Sequence, residues 1–121
     1  MASQKILVVD DSLVQRLIVA ELLTLHGHRV ILATDGREAV AMARSELPDL
    51  IVMDVVMPNL NGFQATRAIT SDEATWHIPI ILLTSKDMES DRVWALRQGA
   101  TAFLNKPLDH AALLALVNTL E

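Results

Sequence analysis

Five short apolar runs punctuate the chain, at residues 6–9, 30–33, 50–53, 80–83 and 102–104. None alternates apolar with polar positions, and most are rich in Ile, Val and Leu, which is the pattern of strands buried on both faces of a parallel sheet. Such strands need covering helices, and the segments between them carry helical spacing. Val14, Leu17, Ile18, Leu22 and Leu25 form an i, i+3, i+4 stripe that predicts an inward face for a first helix, with Gly27 placed as its C-terminal glycine. Asp35 is placed to cap a second helix with Ala39, Val40, Met42 and Ala43 facing inward, stopping before Pro48. A third begins near Gly62 and carries Phe63, Ala65, Ala68 and Ile69. Asp87 can cap a fourth, in which Val93, Trp94 and Leu96 lead to Gly99, and Asp109 can cap a fifth with Leu113, Leu116, Val117 and Leu120. Trp76, Trp94 and Met53 read as packing residues.

Five βα units in succession imply parallel strands joined by right-handed crossovers, hence an α/β fold with helices on both faces of an open sheet. A chain of 121 residues suits one compact domain, so residues 1–121 are read as a single unit. Apolar residues make up 51% of it, enough for burial to offset chain entropy. The net charge of −5, with basic residues scattered, argues against a nucleic-acid surface. The absence of cysteine removes disulfides, thiolate metal sites and thiol chemistry. The apolar run at 6–9 is far too short for a signal-peptide core or a membrane span, so a cytoplasmic, membrane-free protein is expected. His26, His28, His77 and His110 lack metal-ligand spacing and suit surface or capping roles.

Ligands of open α/β sheets bind outside the carboxyl ends of the strands. The first strand ends in Asp10 and Asp11, the third in Asp54, the fourth in Thr84 and Ser85, and the fifth in Asn105, Lys106 and Pro107. If these groups converge, three carboxylates repel one another, so the cluster needs a cation or a raised pKa. An all-oxygen set suits magnesium. Beside it, a carboxylate oxygen of Asp54 can attack a phosphoryl group, with Lys106 and Thr84 placed to serve the remaining phosphoryl oxygens.

Taken singly, each piece has an ordinary explanation. Asp10, Asp11 or Ser12 could cap the first helix, Asp54 could be a loop acid, Thr84 and Ser85 could belong to a turn, and Lys106 could be a solvated charge. Their joint placement on four strand ends favours the functional reading.

Asp10-Asp11, Asp54 in the run MDVVMPNLNG, Thr84-Ser85 and Lys106-Pro107 resemble the receiver domains of bacterial response regulators across the whole chain. The resemblance implies a flavodoxin-like (βα)5 sheet of strand order 2-1-3-4-5. It also implies that Asp54 takes phosphate from a histidine kinase, with Asp11, Asp54 and the Val56 carbonyl binding magnesium directly and Asp10 through water. Thr84 and Phe103 would form the switch, Phe103 standing where many members carry tyrosine. The Lys106-Pro107 bond would be cis, and a downstream effector would dock on the fourth helix, fifth strand and fifth helix of a monomer. Val56 and Lys86 hold the positions that tune acyl-phosphate lifetime in the family. The runs GFQATR and KDMESDRVWALRQGA resemble the small stand-alone regulators of twitching motility, the PilH type.

Two rivals are open to test. An aspartate-nucleophile phosphatase of the haloacid dehalogenase type needs an acid two residues after the nucleophile, where this chain has Val56. A phosphorylation-independent docking module would not need the acidic cluster. Glycines at 27, 36, 62 and 99 form neither a phosphate loop nor a dinucleotide fingerprint.

Overall fold

A computed structural model describes residues 3–85 and 89–120. The expected alternation is present: β1 (Lys5–Val9), α1 (Leu13–Leu25), β2 (Arg29–Ala33), α2 (Gly36–Glu46), β3 (Leu50–Asp54), α3 (Gly62–Thr70), β4 (Ile80–Thr84), α4 (Glu89–Arg97), β5 (Ala102–Asn105) and α5 (His110–Thr119). All strand pairs are parallel, in the order β2-β1-β3-β4-β5. The winding direction therefore reverses between β1 and β3, whose carboxyl ends carry the acidic residues.

Alternate residues along each central strand feed opposite faces of the sheet. Leu7, Val9, Ile51, Met53, Ile80 and Leu82 pack with Ala39, Ala43, Ala65, Ile69 and Ala95, under α2, α3 and α4. Ile6, Val8, Leu50, Val52, Ile81 and Leu83 pack with Val19, Leu23, Leu113 and Val117, under α1 and α5. Two apolar faces explain why β1, β3 and β4 read as unbroken apolar runs. β2, at the sheet edge, departs from that reading: Arg29 and Leu32 are exposed and only Ala33 is buried.

The helix termini follow local chemistry. The side chains of Ser12, Asp35, Asn61 and Asp109 accept hydrogen bonds from the backbone N–H groups of Gln15, Glu38, Gln64 and Ala112. Each satisfies a donor that the first turn leaves without an intrahelical acceptor. The Asp87 cap expected for α4 lies outside the described residues, as does Lys86.

Several expectations about helix faces are corrected. In α1 the buried residues are Val19 and Leu23, while Val14, Leu17, Ile18 and Leu25 are exposed and Leu22 is partly covered. The sequence LVQRLIVAELLTL carries apolar residues around most of the helix, so more than one stripe satisfies the spacing; packing against β1 and α5 selects the one with Val19 and Leu23. In α4 only Ala95 is buried among the described side chains, and Val93, Trp94 and Leu96 are about half exposed. Trp76 is also exposed, so neither tryptophan is a core residue, whereas Met53 is. Ala68 lies on the outer face of α3.

His28 is buried rather than superficial. Its Nδ1 accepts the Gln4 backbone N–H at 3.1 Å and the His28 backbone N–H donates to the Leu23 carbonyl at 3.1 Å, joining the start of β1 to the end of α1. His26 does act as a cap, with Nδ1 2.9 Å from the Leu22 carbonyl oxygen. No helix among the described residues is long and apolar enough to cross a membrane.

Candidate phosphoacceptor site

Asp10 and Asp11 follow β1 directly, Asp54 is the last residue of β3, Thr84 the last of β4, and Lys106 follows β5. The parallel register brings these strand ends to one edge: Val9 pairs with Met53, Asp54 with Leu83, and Thr84 with Asn105. Asp10, Asp11 and Asp54 each offer a carboxylate oxygen, and these oxygens lie within 4.8 Å of one another. Convergence is thus a property of the folded chain.

Lys106 completes the cluster. Its Nζ lies 3.2 Å from Asp54 Oδ1 and 3.3 Å from Asp10 Oδ2, bridging the two buried acids. Asp10 Oδ1 also accepts the Ser12 N–H at 2.9 Å, and Asp54 Oδ1 accepts the Val55 N–H at 3.0 Å. One ammonium beside three carboxylates leaves excess negative charge at the edge. Burial holds the Asp54 carboxyl above its ordinary range, the Lys106 charge opposes that rise, and the Asp10 charge adds to it. The three acids form an all-oxygen donor set with surplus negative charge, which fits a hard divalent cation such as magnesium.

Backbone geometry brings α3 close behind Asp54. The Gly62 N–H donates to the Val55 carbonyl at 2.8 Å, and a Cβ at Gly62 would stand 2.5 Å from the Asp54 carbonyl oxygen and 2.8 Å from the Val55 Cα. Only glycine permits that approach. On the outer side of the same loop, Asn59 Nδ2 donates to Asp35 Oδ2 at 2.7 Å, tying the loop to the start of α2.

The remaining expected residues take distinct places. Thr84 is buried at the end of β4, the strand paired with β3. Val56 lies in the loop two residues beyond Asp54 and is 55% exposed. Phe103 points inward and is buried, and the Arg92 guanidinium sits 5.9 Å from its ring centroid. The Lys106-Pro107 peptide is cis.

Sequence reasoning missed Arg16, whose Nη1 donates to the Asp10 carbonyl at 2.8 Å. The available signal was a lone basic residue near the start of a mainly apolar helix. It also missed Gly62, taken only as a helix start; the closeness of α3 to Asp54 depends on how β3 and α3 pack.

Comparison with known proteins agrees with this geometry. Residues 6–118 match the family model described as the response regulator receiver domain. The chain is 50% identical over 114 residues to Protein PilH of Pseudomonas aeruginosa, covering 94% of each chain. It is 42% identical over 118 residues to the response regulator PleD of Caulobacter vibrioides, covering 98% of this chain but only 26% of that longer protein. Among solved structures, a Vibrio cholerae chemotaxis protein superposes with a TM-score of 0.91 at 34% identity, covering 99% of this chain and 100% of that one. The receiver domain of a Pseudomonas aeruginosa sensor histidine kinase, solved with a magnesium ion coordinated in its active site cleft, gives 0.89 at 36% identity over 98% of this chain and 97% of that one. With the strand order, the acidic edge and the bridging lysine all in place, the chain belongs to the response regulator receiver family.

Proposed function

We propose that the protein is a phosphorylation-operated switch in which Asp54 accepts a phosphoryl group from a histidine kinase. The observation that carries this reading is the meeting of three carboxylates from two strands with the ammonium of Lys106, 3.2 Å from Asp54.

In the forward step a carboxylate oxygen of Asp54 forms a bond to phosphorus while the bond from phosphorus to the kinase's histidine nitrogen breaks, leaving an acyl phosphate and a free imidazole. Attack by an anion on an anionic donor is opposed by charge, and the site answers in two ways. Asp10, Asp11, Asp54 and the Val56 carbonyl would hold magnesium, which when bound offsets that repulsion and stabilises charge on the phosphoryl oxygens. Lys106 already faces Asp54 and serves as a point charge for another phosphoryl oxygen. The Thr84 hydroxyl, at the neighbouring strand end, donates to the third.

The same chemistry makes the protein a switch that catalyses only its own phosphorylation and hydrolysis. A turnover phosphatase would need an acid where Val56 stands. Phe103, already buried on the strand paired with β4, would follow a movement of Thr84 toward the phosphate and so couple the site to α4, β5 and α5. That face carries a groove of about 590 Å³ whose walls include Arg92, Leu96, Phe103 and Leu116. Val93 and Trp94 of α4, like Leu96, are about half exposed, as a face made for an effector protein would require. The relation to PilH supports a place in a chemosensory pathway controlling type IV pilus motility; a kinase panel in which only unrelated sensors transfer phosphate would remove that assignment.

The central test is incubation with acetyl phosphate and magnesium followed by intact-mass and peptide mapping. One phosphate at Asp54, absent in Asp54→Asn and blocked by chelator, is the expected result. Phosphate on another residue, or none, would overturn the assignment.

A further inference from the structure

Arg16 has no part in the chemistry assigned above, yet it contacts the site. It is the fourth residue of α1, and its Nη1 donates to the Asp10 carbonyl oxygen at 2.8 Å. A helical side chain leans toward the N-terminus of its helix, so a residue at this position can reach back across the turn that leaves β1. The position is otherwise unfavourable for a cation, because the N-terminal end of a helix is its positive pole, and α1 has no acidic residue in its first turn to offset the charge. The carbonyl bond supplies the compensating interaction.

That bond completes a cage around Asp10. The Asp10 N–H donates to the Ala33 carbonyl at 3.2 Å, Oδ1 accepts from Ser12, and Oδ2 faces Lys106. The carbonyl held by Arg16 belongs to the peptide joining Asp10 to Asp11. A peptide unit is planar, so fixing its oxygen also fixes the plane from which the Asp11 backbone departs. Asp11 is exposed, and it is the member of the acidic trio whose side chain is least enclosed by the fold.

We propose that Arg16 is a positioning residue for the acid pair: it locks the Asp10-Asp11 peptide so that both carboxylates meet Asp54 in one cation-binding cluster. The inference rests on the magnesium-dependent phosphoacceptor reading. It is separable from a plain charge effect because the two predict opposite signs. If Arg16 acted only as a nearby positive charge, its removal would tighten binding of a divalent cation. If it orients the acids, its removal weakens that binding.

The experiment is calorimetric titration of the full chain with magnesium chloride at fixed ionic strength, for wild type, Arg16→Met, Arg16→Lys and Arg29→Met. Arg29 begins β2 at the opposite edge of the sheet and controls for net charge. Loss of an outer-shell orienting group weakens metal binding by about tenfold, which is the change expected for Arg16→Met. Arg16→Lys, which keeps a donor on a long stem, should retain most of the affinity, and Arg29→Met should match wild type. Unchanged or tighter magnesium binding in Arg16→Met overturns the proposal, as does a lysine variant as weak as the methionine one. Should Arg16→Met fail to fold, Arg16→Gln carries the same comparison with wild type. Wild type that takes up no magnesium would overturn the phosphoacceptor reading together with this inference, an outcome distinct from wild type that binds while the variants bind equally.

Discussion

α3 and α4 are both nine-residue helices lying on the same face of the sheet, yet they are held in different ways. α3 buries Gly62, Ala65, Thr66 and Ile69 and starts in a capping box, where the Asn61 side chain accepts the Gln64 N–H and the Gln64 side chain accepts the Asn61 N–H. α4, among its described side chains, buries Ala95 alone and leaves Val93, Trp94 and Leu96 half exposed. Its main packing partner is β5, through a small residue. Burial of large apolar groups stabilises a helix against its sheet, and a helix with little of it is the element that a modest change in free energy can move. On the proposed reading the pair would divide the work of a switch, with α3 backing the Asp54 site and α4 as the part that responds.

The sharpest way to break this comparison is Gly62→Ala. Its new methyl would meet the Asp54 and Val55 backbone, which cannot give way as a side chain can, so a loss of about 3 kcal/mol in urea unfolding and loss of phosphorylation are expected. Ile69→Ala empties a buried position on α3 and should cost about 3 kcal/mol, measured in the same way. Asn61→Ala removes one half of the capping box and should cost about 1 kcal/mol. Equal losses from α4 substitutions would dissolve the contrast.

Smaller effects sharpen it. The Asp54 pKa is raised above its ordinary 3.8 by burial, so the folded state binds this proton more tightly than the unfolded chain does. Its contribution to stability is fully present below the unfolded value and is lost as pH rises through the folded one. Without divalent cations, Asp54→Asn should therefore melt higher than wild type near neutral pH, with the gap closing as pH falls to about 4. A gap independent of pH would show that the ionised carboxylate is not under strain. Least of all, Trp94→Ala should change stability by no more than about 0.5 kcal/mol, because half-exposed surface contributes little. It should nonetheless weaken binding of an effector to the phosphorylated protein, and hydrogen exchange should be faster in α4 than in α3.

How legible this was from the sequence varied with the physics involved. The strands were readable because burial on both faces leaves an unbroken apolar run, as at 50–53, and the ends of β3 and β4 differ from those runs by one residue. Caps at Asp35 and Asp109 were readable because they depend on local hydrogen bonds alone. The inward face of α1 was not, because Val14, Leu17 and Ile18 satisfy helical spacing as well as Val19 and Leu23 do. The exposure of Trp76 and Trp94 escaped for a related reason: a large aromatic side chain reads as core unless one knows how little of the fold covers it.

The candidate site divides along the same line. The order of motifs already placed Asp10, Asp11, Asp54, Thr84 and Lys106 at strand ends, since an apolar strand interior cannot carry them and the chain must put its charges where a strand stops. That three carboxylate oxygens lie within 4.8 Å, that Lys106 bridges Asp10 to Asp54, and that Arg16 reaches the Asp10 carbonyl were decided by tertiary structure. Those contacts join residues up to 96 positions apart. Local propensity acts over a turn or a strand, so only sheet register and helix packing could bring such distant groups within reach of one another.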